Sequence, residues 1–326
     1  MAVAVGSAAP VLVGTAAADP GPGVAAAGSR ACTWSAAALP QVPDAFSGYV
    51  RGTDGHRTFA GQSGDQPVLW RDGHLIVLGP SGAAEDVNRR GEAVGATADS
   101  GHALLWRGAT QIPLAEPEGF ASSTATAIND AGLIVGYGSG PETGGAQGLV
   151  WRADAPDQVR VLPGPGGGSV FLADVNRRGV IVGTEIAGSS LRSNAVIGTL
   201  RSGLRALPTT PGATESSAAA IAGNYVVGTD SSGPVRWYRD RPERLPGGGN
   251  PQAVNGHGLA AGYHGPPETA YVWQHSVRVD LPGLVPDALR GATAVGDGGQ
   301  VAGFSSVGEE DELHGIRYEP TVWNCR

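Results

Sequence analysis

One phrase recurs along this chain: a hydrophobic residue, Asn, two polar residues, Gly, two variable residues, a small apolar residue and a closing Gly. It reads Val87-Asn88-Arg89-Arg90-Gly91 closing at Gly95, Ile128-Asn129-Asp130-Ala131-Gly132 closing at Gly136, and Val175-Asn176-Arg177-Arg178-Gly179 closing at Gly183. Val254-Asn255-Gly256-His257-Gly258, closing at Gly262, is the fourth full copy. Three copies are partial. Thr53-Asp54 leads to Gly61 with Arg57 in place of the first Gly, Ile221-Ala222-Gly223-Asn224 leads to Gly228 one residue short, and Val295-Gly296-Asp297-Gly298-Gly299 leads to Gly303. The seven closing glycines lie 34 to 47 residues apart. A self-similar unit of about forty residues is the signature of a stacked or circular array of small sheets.

A second landmark follows each phrase, a short hydrophobic strand ending in Trp. The copies are Val68-Leu69-Trp70, Leu104-Leu105-Trp106, Leu149-Val150-Trp151, Val235-Arg236-Trp237 and Tyr271-Val272-Trp273. Val196-Ile197-Gly198 takes this place in the fourth unit and Ile316-Arg317-Tyr318 in the seventh. A strand ending near Leu-Pro or Leu-Gly comes next, as at Leu78-Gly79, Leu162-Pro163, Leu207-Pro208, Leu245-Pro246 and Leu281-Pro282. The chemistry of each landmark suits a sheet. Asn followed three residues later by Gly fits a tight hairpin turn, a Gly inside a strand marks crowded backbones, and one Trp per unit supplies surface for face-to-face packing. Gly (53) and Pro (24) are abundant, but 41% of residues are apolar and cluster in short blocks, which predicts many short strands and not disorder.

The termini predict a ring. Residues 31–40 read as a Trp strand and a Leu-Pro strand without a first half, while the last unit runs out at Thr321-Val322-Trp323-Asn324-Cys325. The N-terminal segment is therefore expected to complete the last unit, and a ring leaves no sheet edge open. The expected fold is an all-β propeller of seven blades, about four strands each, spanning residues 31–326 as one domain. Cys32 and Cys325 are the only cysteines, one at each end of that domain, and a disulfide between them would lock the join in an oxidising compartment. Such a loop is worth roughly 4–5 kcal/mol in the chain-entropy picture.

Residues 1–18 are apolar and small, ending Ala16-Ala17-Ala18 before Asp19-Pro20, as a signal peptide with an A-x-A site would; 19–30 read as an Ala/Gly/Pro linker. No Arg or Lys precedes Arg30, so a start upstream of Met1 is expected; the alternative is a disordered tail on a cytosolic protein. The net charge of −8, with Arg as every basic residue and no basic cluster, argues against a nucleic-acid or anionic-membrane partner. No later stretch is apolar and long enough to span a bilayer.

On these motifs the chain resembles the HAF-repeat family of extracellular repeat proteins, whose unit joins an I-N-x-x-G-x-V-V-G segment to a G-x-x-H-A-F-x-W segment. The likeness covers about residues 45–315. The first half matches at four positions and the second once, as His102-Ala103-Leu104-Leu105-Trp106, with Leu for Phe. The resemblance implies export and a propeller-like repeat, and no established activity.

Chemistry-bearing motifs are scarce. There is no G-x-S-x-G, H-E-x-x-H, C-x-x-C or EF-hand loop, and the glycines of Gly164-Pro165-Gly166-Gly167-Gly168 read as a turn. Asp86-Val87-Asn88 and Asp174-Val175-Asn176 resemble the start of a calcium loop, but Arg stands at the next ligand position, so no metal site or cofactor is expected. The seven histidines read as turn or surface residues, and Glu309-Glu310-Asp311-Glu312 as a solvated loop. One pattern points to a ligand. The residue after the closing Gly is aromatic at Tyr137, Tyr263 and Phe304, and the third and sixth units share the loops Gly140-Pro141-Glu142-Thr143 and Gly265-Pro266-Pro267-Glu268-Thr269. Tyr137, Glu142, Tyr263 and Glu268 are the candidate sugar-binding residues, since a ring platform beside a carboxylate grips a pyranose; the alternative for the same residues is core packing with a turn-forming Pro. The expected function is a secreted, monomeric, non-catalytic module that binds a protein or a glycan-bearing envelope polymer. The alternative is a hydrolase or lyase using the central funnel, which needs carboxylates or His converging from several blades.

Overall fold

A computed structural model describes residues 33–98, 101–188, 192–265, 268–274, 277–308 and 315–326. These residues form seven four-stranded antiparallel sheets with no helix among them. Blades 1 to 6 occupy residues 48–77, 83–113, 122–162, 169–206, 216–244 and 250–280, each strand pairing with the next in sequence. In blade 7 the order is Arg290–Val295, Val301–Ser306, Tyr318–Cys325 and then Trp34–Ala38, so the ring closes as the termini predict. Trp34 faces Cys325 in that pairing, and Thr33 and Arg326 exchange backbone hydrogen bonds of 3.1 Å. Cys32, the stretch expected to be a signal peptide and the acidic run 309–312 lie outside the described residues.

Two landmarks are placed differently from expectation. The N-terminal segment supplies one strand, the outer one, instead of a Trp strand plus another. The Trp strand of blade 7 is Thr321-Val322-Trp323, not Ile316-Arg317-Tyr318: Trp323 faces Val301 as Trp70 faces Phe59. Gly198 occupies this position in blade 4, facing Ile181, and Leu200 and Leu204 pack into that seam.

The core is divided among seven apolar clusters, one per seam between blades. The Trp side chains fill these seams and also stitch them. The indole N–H of Trp70 donates to Pro40 O (2.6 Å), Trp151 to Ala115 O (2.6 Å), Trp237 to Pro208 O (2.6 Å), Trp273 to Pro246 O (2.8 Å) and Trp323 to Pro282 O (2.7 Å). Each acceptor follows the Leu at the end of the preceding blade's outer strand, so the Trp and Leu-Pro landmarks are two halves of one contact. Among these third-strand tryptophans, only Trp106 is buried with its indole N–H unpaired.

The Asn of the phrase stitches the inner side. Its Oδ1 accepts backbone N–H groups two and four residues on, as Asn129 does from Ala131 and Leu133 at 3.0 Å, while Nδ2 crosses the seam. Asn88 donates to Asn129 O (3.3 Å), Asn129 to Asn176 O (2.9 Å), Asn176 to Gly223 O (3.0 Å) and Asn255 to Gly296 O (3.1 Å). The turn Gly is left-handed (φ 75 at Gly91, 77 at Gly132), and a Cβ at the closing Gly95 would sit inside the Ala83 carbonyl. That carbonyl lies just before a β-bulge repeated on the inner strand of all seven blades.

Blade 1 carries Asp54 at the Asn position. Its Oδ1 caps the turn, accepting from His56, Arg57 and Thr58, but a carboxylate cannot donate across the seam. Asp54→Asn is expected to keep the cap and add a donor to Asn88 O, raising stability by about 1 kcal/mol. A urea midpoint no higher than wild type would refute this account of the clamp.

Candidate functional site

The first strand of every blade lines a central channel of about 440 Å³. The Asn turns sit at one mouth, here the turn face. The connections between second and third strands, and those between blades, sit at the other, the loop face. Tyr137 and Tyr263 both follow the closing Gly on second strands near the loop face, as the repeat predicts. They lie in blades 3 and 6, however, with blades 4 and 5 between them, so the ring does not bring them into one site. Tyr137 packs edge-on to Phe171 of blade 4 (ring centroids 5.1 Å), and Glu142 is exposed on a turn closed by Thr143.

Tyr263 instead belongs to a cluster built by three blades. Its ring stands 5.9 Å from Phe304 of blade 7, which lies 5.2 Å from Tyr318 and 5.5 Å from Tyr49 of blade 1. Tyr49 and Tyr318 are themselves 5.5 Å apart. Gly291 on the inner strand makes this possible, because a Cβ there would collide with the Phe304 ring. Glu268 closes the cluster, accepting a 3.5 Å hydrogen bond from the Tyr318 hydroxyl. Burial first, and Glu268 second, raise the Tyr263 phenol above its usual value; the same causes, with Tyr49, push Tyr318 up to about 12. Both phenols stay neutral. The shift is opposite to what a phenolate nucleophile needs.

The channel holds residues whose local sequence gave no site. Asp86 and Asp174 occupy the same strand position in blades 2 and 4, one residue past the bulge, facing Val94 and Val182. Asp86 Oδ2 accepts the Ile128 N–H of blade 3 (2.9 Å), and Asp174 Oδ2 accepts the Ile221 N–H of blade 5 (2.7 Å). Burial, and then the charge of Asp174, hold the Asp86 carboxyl well above the usual carboxylate value; burial pushes Asp174 up to about 6. The available signal was the repeat itself: the aligned positions are Gly52, Ala127, Ala220, Ala253 and Ala294, so an Asp there is a departure.

At the turn face four side chains cross the mouth in alternating sign. Arg89 pairs with Asp130 (3.6 Å) and Asp297 (3.3 Å), and Arg177 with the same two at 3.2 and 2.7 Å. Burial raises the Asp297 carboxyl, but the Arg177 and Arg89 guanidiniums outweigh it and leave it below the usual value. Blades 2, 3, 4 and 7 are thereby tied together over the channel. Elsewhere, His102 Nδ1 and the Ser123 hydroxyl both meet Glu116 Oε1, at 2.9 and 2.5 Å. Here the acid stands between Ser and His, which is not the Ser–His–acid order of a triad. No group of three or more His, Cys, Asp or Glu able to hold a metal occurs among the described residues.

No family model matches the chain, and no curated protein matches it. Solved structures do. The chain is similar to a streptogramin B lyase (TM-score 0.54, 10% identity, 90% of this chain and 98% of that one). It is equally similar to the virginiamycin B lyase of Staphylococcus aureus (TM-score 0.54, 10% identity, 90% and 99%). At this identity the likeness is one of fold: the neighbours are propeller proteins.

Proposed function

We propose that this chain is a secreted, monomeric binding propeller of HAF-repeat type that recognises a glycan-bearing envelope polymer on its loop face. The observation that carries the reading is the cluster of Tyr263, Phe304, Tyr318 and Tyr49 beside Glu268, drawn from blades 6, 7 and 1. Aromatic faces stack on the apolar face of a pyranose, two neutral phenols donate to its hydroxyls, and a carboxylate accepts from them. Tyr263 and Glu268 thus keep the role read from the repeat, with Tyr318 and Tyr49 added. Tyr137 and Glu142 become a structural counterpart. Export would allow a Cys32–Cys325 disulfide across the ring join, which intact-mass measurement with and without reductant tests.

The deciding experiment is an array of glycans and cell-wall polymers probed with the purified, oxidised chain. Binding competed by free sugar is expected, and Tyr263→Ala or Tyr318→Ala should weaken it about tenfold, or ~1.4 kcal/mol. Tyr137→Ala should leave it unchanged. Equal losses from Tyr137→Ala and Tyr263→Ala in folded protein would refute this placement.

A second reading, a lyase or hydrolase in the channel, is favoured by one observation: Asp86 and Asp174 line the same cavity with raised carboxyls. Turnover of a bound polymer, lost in Asp86→Asn, would select it.

A further inference from the structure

The channel is separate from the loop-face platform: none of Tyr49, Tyr263, Glu268, Phe304 and Tyr318 lines it. Its walls differ in kind. On blades 2 and 4 the position past the bulge is Asp86 and Asp174; on blades 5, 6 and 7 it is Ala220, Ala253 and Ala294. Six carboxyl groups and three guanidiniums line the cavity, and Arg89 joins them at the turn-face mouth, so acidic groups outnumber basic ones. The Arg89–Asp130–Arg177–Asp297 quartet crosses the turn-face mouth. At about 440 Å³ the space suits a small organic molecule.

We propose that the channel binds a primary alkylammonium ion, its N–H groups donated to Asp86 and Asp174 and its alkyl chain laid on the Ala220, Ala253 and Ala294 wall. Each Asp gives one oxygen to a neighbouring blade's N–H, and Asp174 Oδ1 also accepts the Val175 N–H (2.6 Å); a carboxylate oxygen has two lone pairs, so each group keeps acceptor capacity for a further donor. Two like charges taken out of bulk water favour a ligand that brings the opposite charge with it. A calcium-like ion fits less well. It takes six to eight oxygens, and the facing wall is alanine. A neutral ligand would leave both carboxylates uncompensated.

The test is a calorimetric titration of the full chain with n-butylammonium chloride near pH 8, at constant sodium chloride, with n-butanol as the neutral probe. Saturable binding of one butylammonium per chain is expected, with none of butanol. The Asp86→Asn/Asp174→Asn variant should bind about tenfold or more weakly, and Tyr263→Ala should bind like wild type. Near-UV circular dichroism checks the fold, and the two single variants serve if the double variant does not fold. No saturable butylammonium binding, or unchanged affinity in the Asn variants, overturns the proposal. Neither outcome bears on the sugar platform, whose probes and residues are different.

Discussion

Trp151→Ala is expected to lower the free energy of unfolding by about 4 kcal/mol. Trp151 is 1% exposed and packs in the seam between blades 2 and 3 with Val94, Leu105, Leu114 and Ile134. Its removal opens a cavity that backbone on both sides cannot close, because each flanking strand is held in its own sheet. The substitution also strands the Ala115 carbonyl that the indole N–H satisfies at 2.6 Å. A finer comparison separates packing from hydrogen bonding. Trp151→Phe loses both volume and the bond, whereas Trp106→Phe loses only volume, since the Trp106 N–H is already buried without a partner. Trp106→Phe should therefore cost about 1–2 kcal/mol less than Trp151→Phe in urea unfolding. Equal costs would mean that the Trp-to-carbonyl contact adds nothing beyond packing.

The second large effect is a pH crossover produced by Asp174→Asn. The Asp174 carboxyl titrates near 3.8 when unperturbed and at about 6 in the folded channel. The folded chain thus holds this proton more tightly than the unfolded chain. Its contribution favours folding fully below about pH 4, and is lost as pH rises through about 6. Above that pH the ionised group is a burden of up to roughly 3 kcal/mol, the free-energy equivalent of the gap between those two titration points. Asn cannot ionise and keeps an oxygen for the Ile221 N–H, though it gives up the 2.6 Å bond from Val175 N–H to Oδ1, worth about 1 kcal/mol. Asp174→Asn should be more stable than wild type by about 2 kcal/mol near pH 8, and less stable by about 1 kcal/mol near pH 4. Thermal unfolding across that range reads both signs. Parallel curves would show that Asp174 ionises no differently in the channel than in the unfolded chain.

Much of the architecture is legible in the linear order of residues because it is written locally. The turn needs a left-handed Gly three residues after Asn, and the bulge needs a Gly where a Cβ would meet a carbonyl. Both demands fall within one hairpin, so each repeat displays them. Even the partial copies keep a turn glycine or a closing glycine, which is why seven units are countable. The seventh Trp strand is a different matter. Residues 316–318 imitate it, because hydrophobic-hydrophobic-aromatic is a weak pattern without its pairing partner. Register against Val301 shows that Trp323 is the counterpart of Trp70.

The sites follow a different rule. Tyr137 and Tyr263 share a local sequence, yet only Tyr263 has Phe304, Tyr318 and Tyr49 around it, because its neighbours come from blade 7 and from blade 1 across the ring closure. Asp86 and Asp174 lie 88 positions apart in the same local phrase, Asp-Val-Asn-Arg-Arg-Gly, which marks them as equivalent positions without showing that they face one cavity, and Arg89 and Asp297 lie 208 apart. The repeat, turn chemistry and ring closure were therefore determined by the sequence alone, through backbone constraints spanning a few residues. Which side chains converge was decided only by the circular order of the blades and the reach of each side chain across a seam, and that is information about space that no stretch of the chain carries by itself.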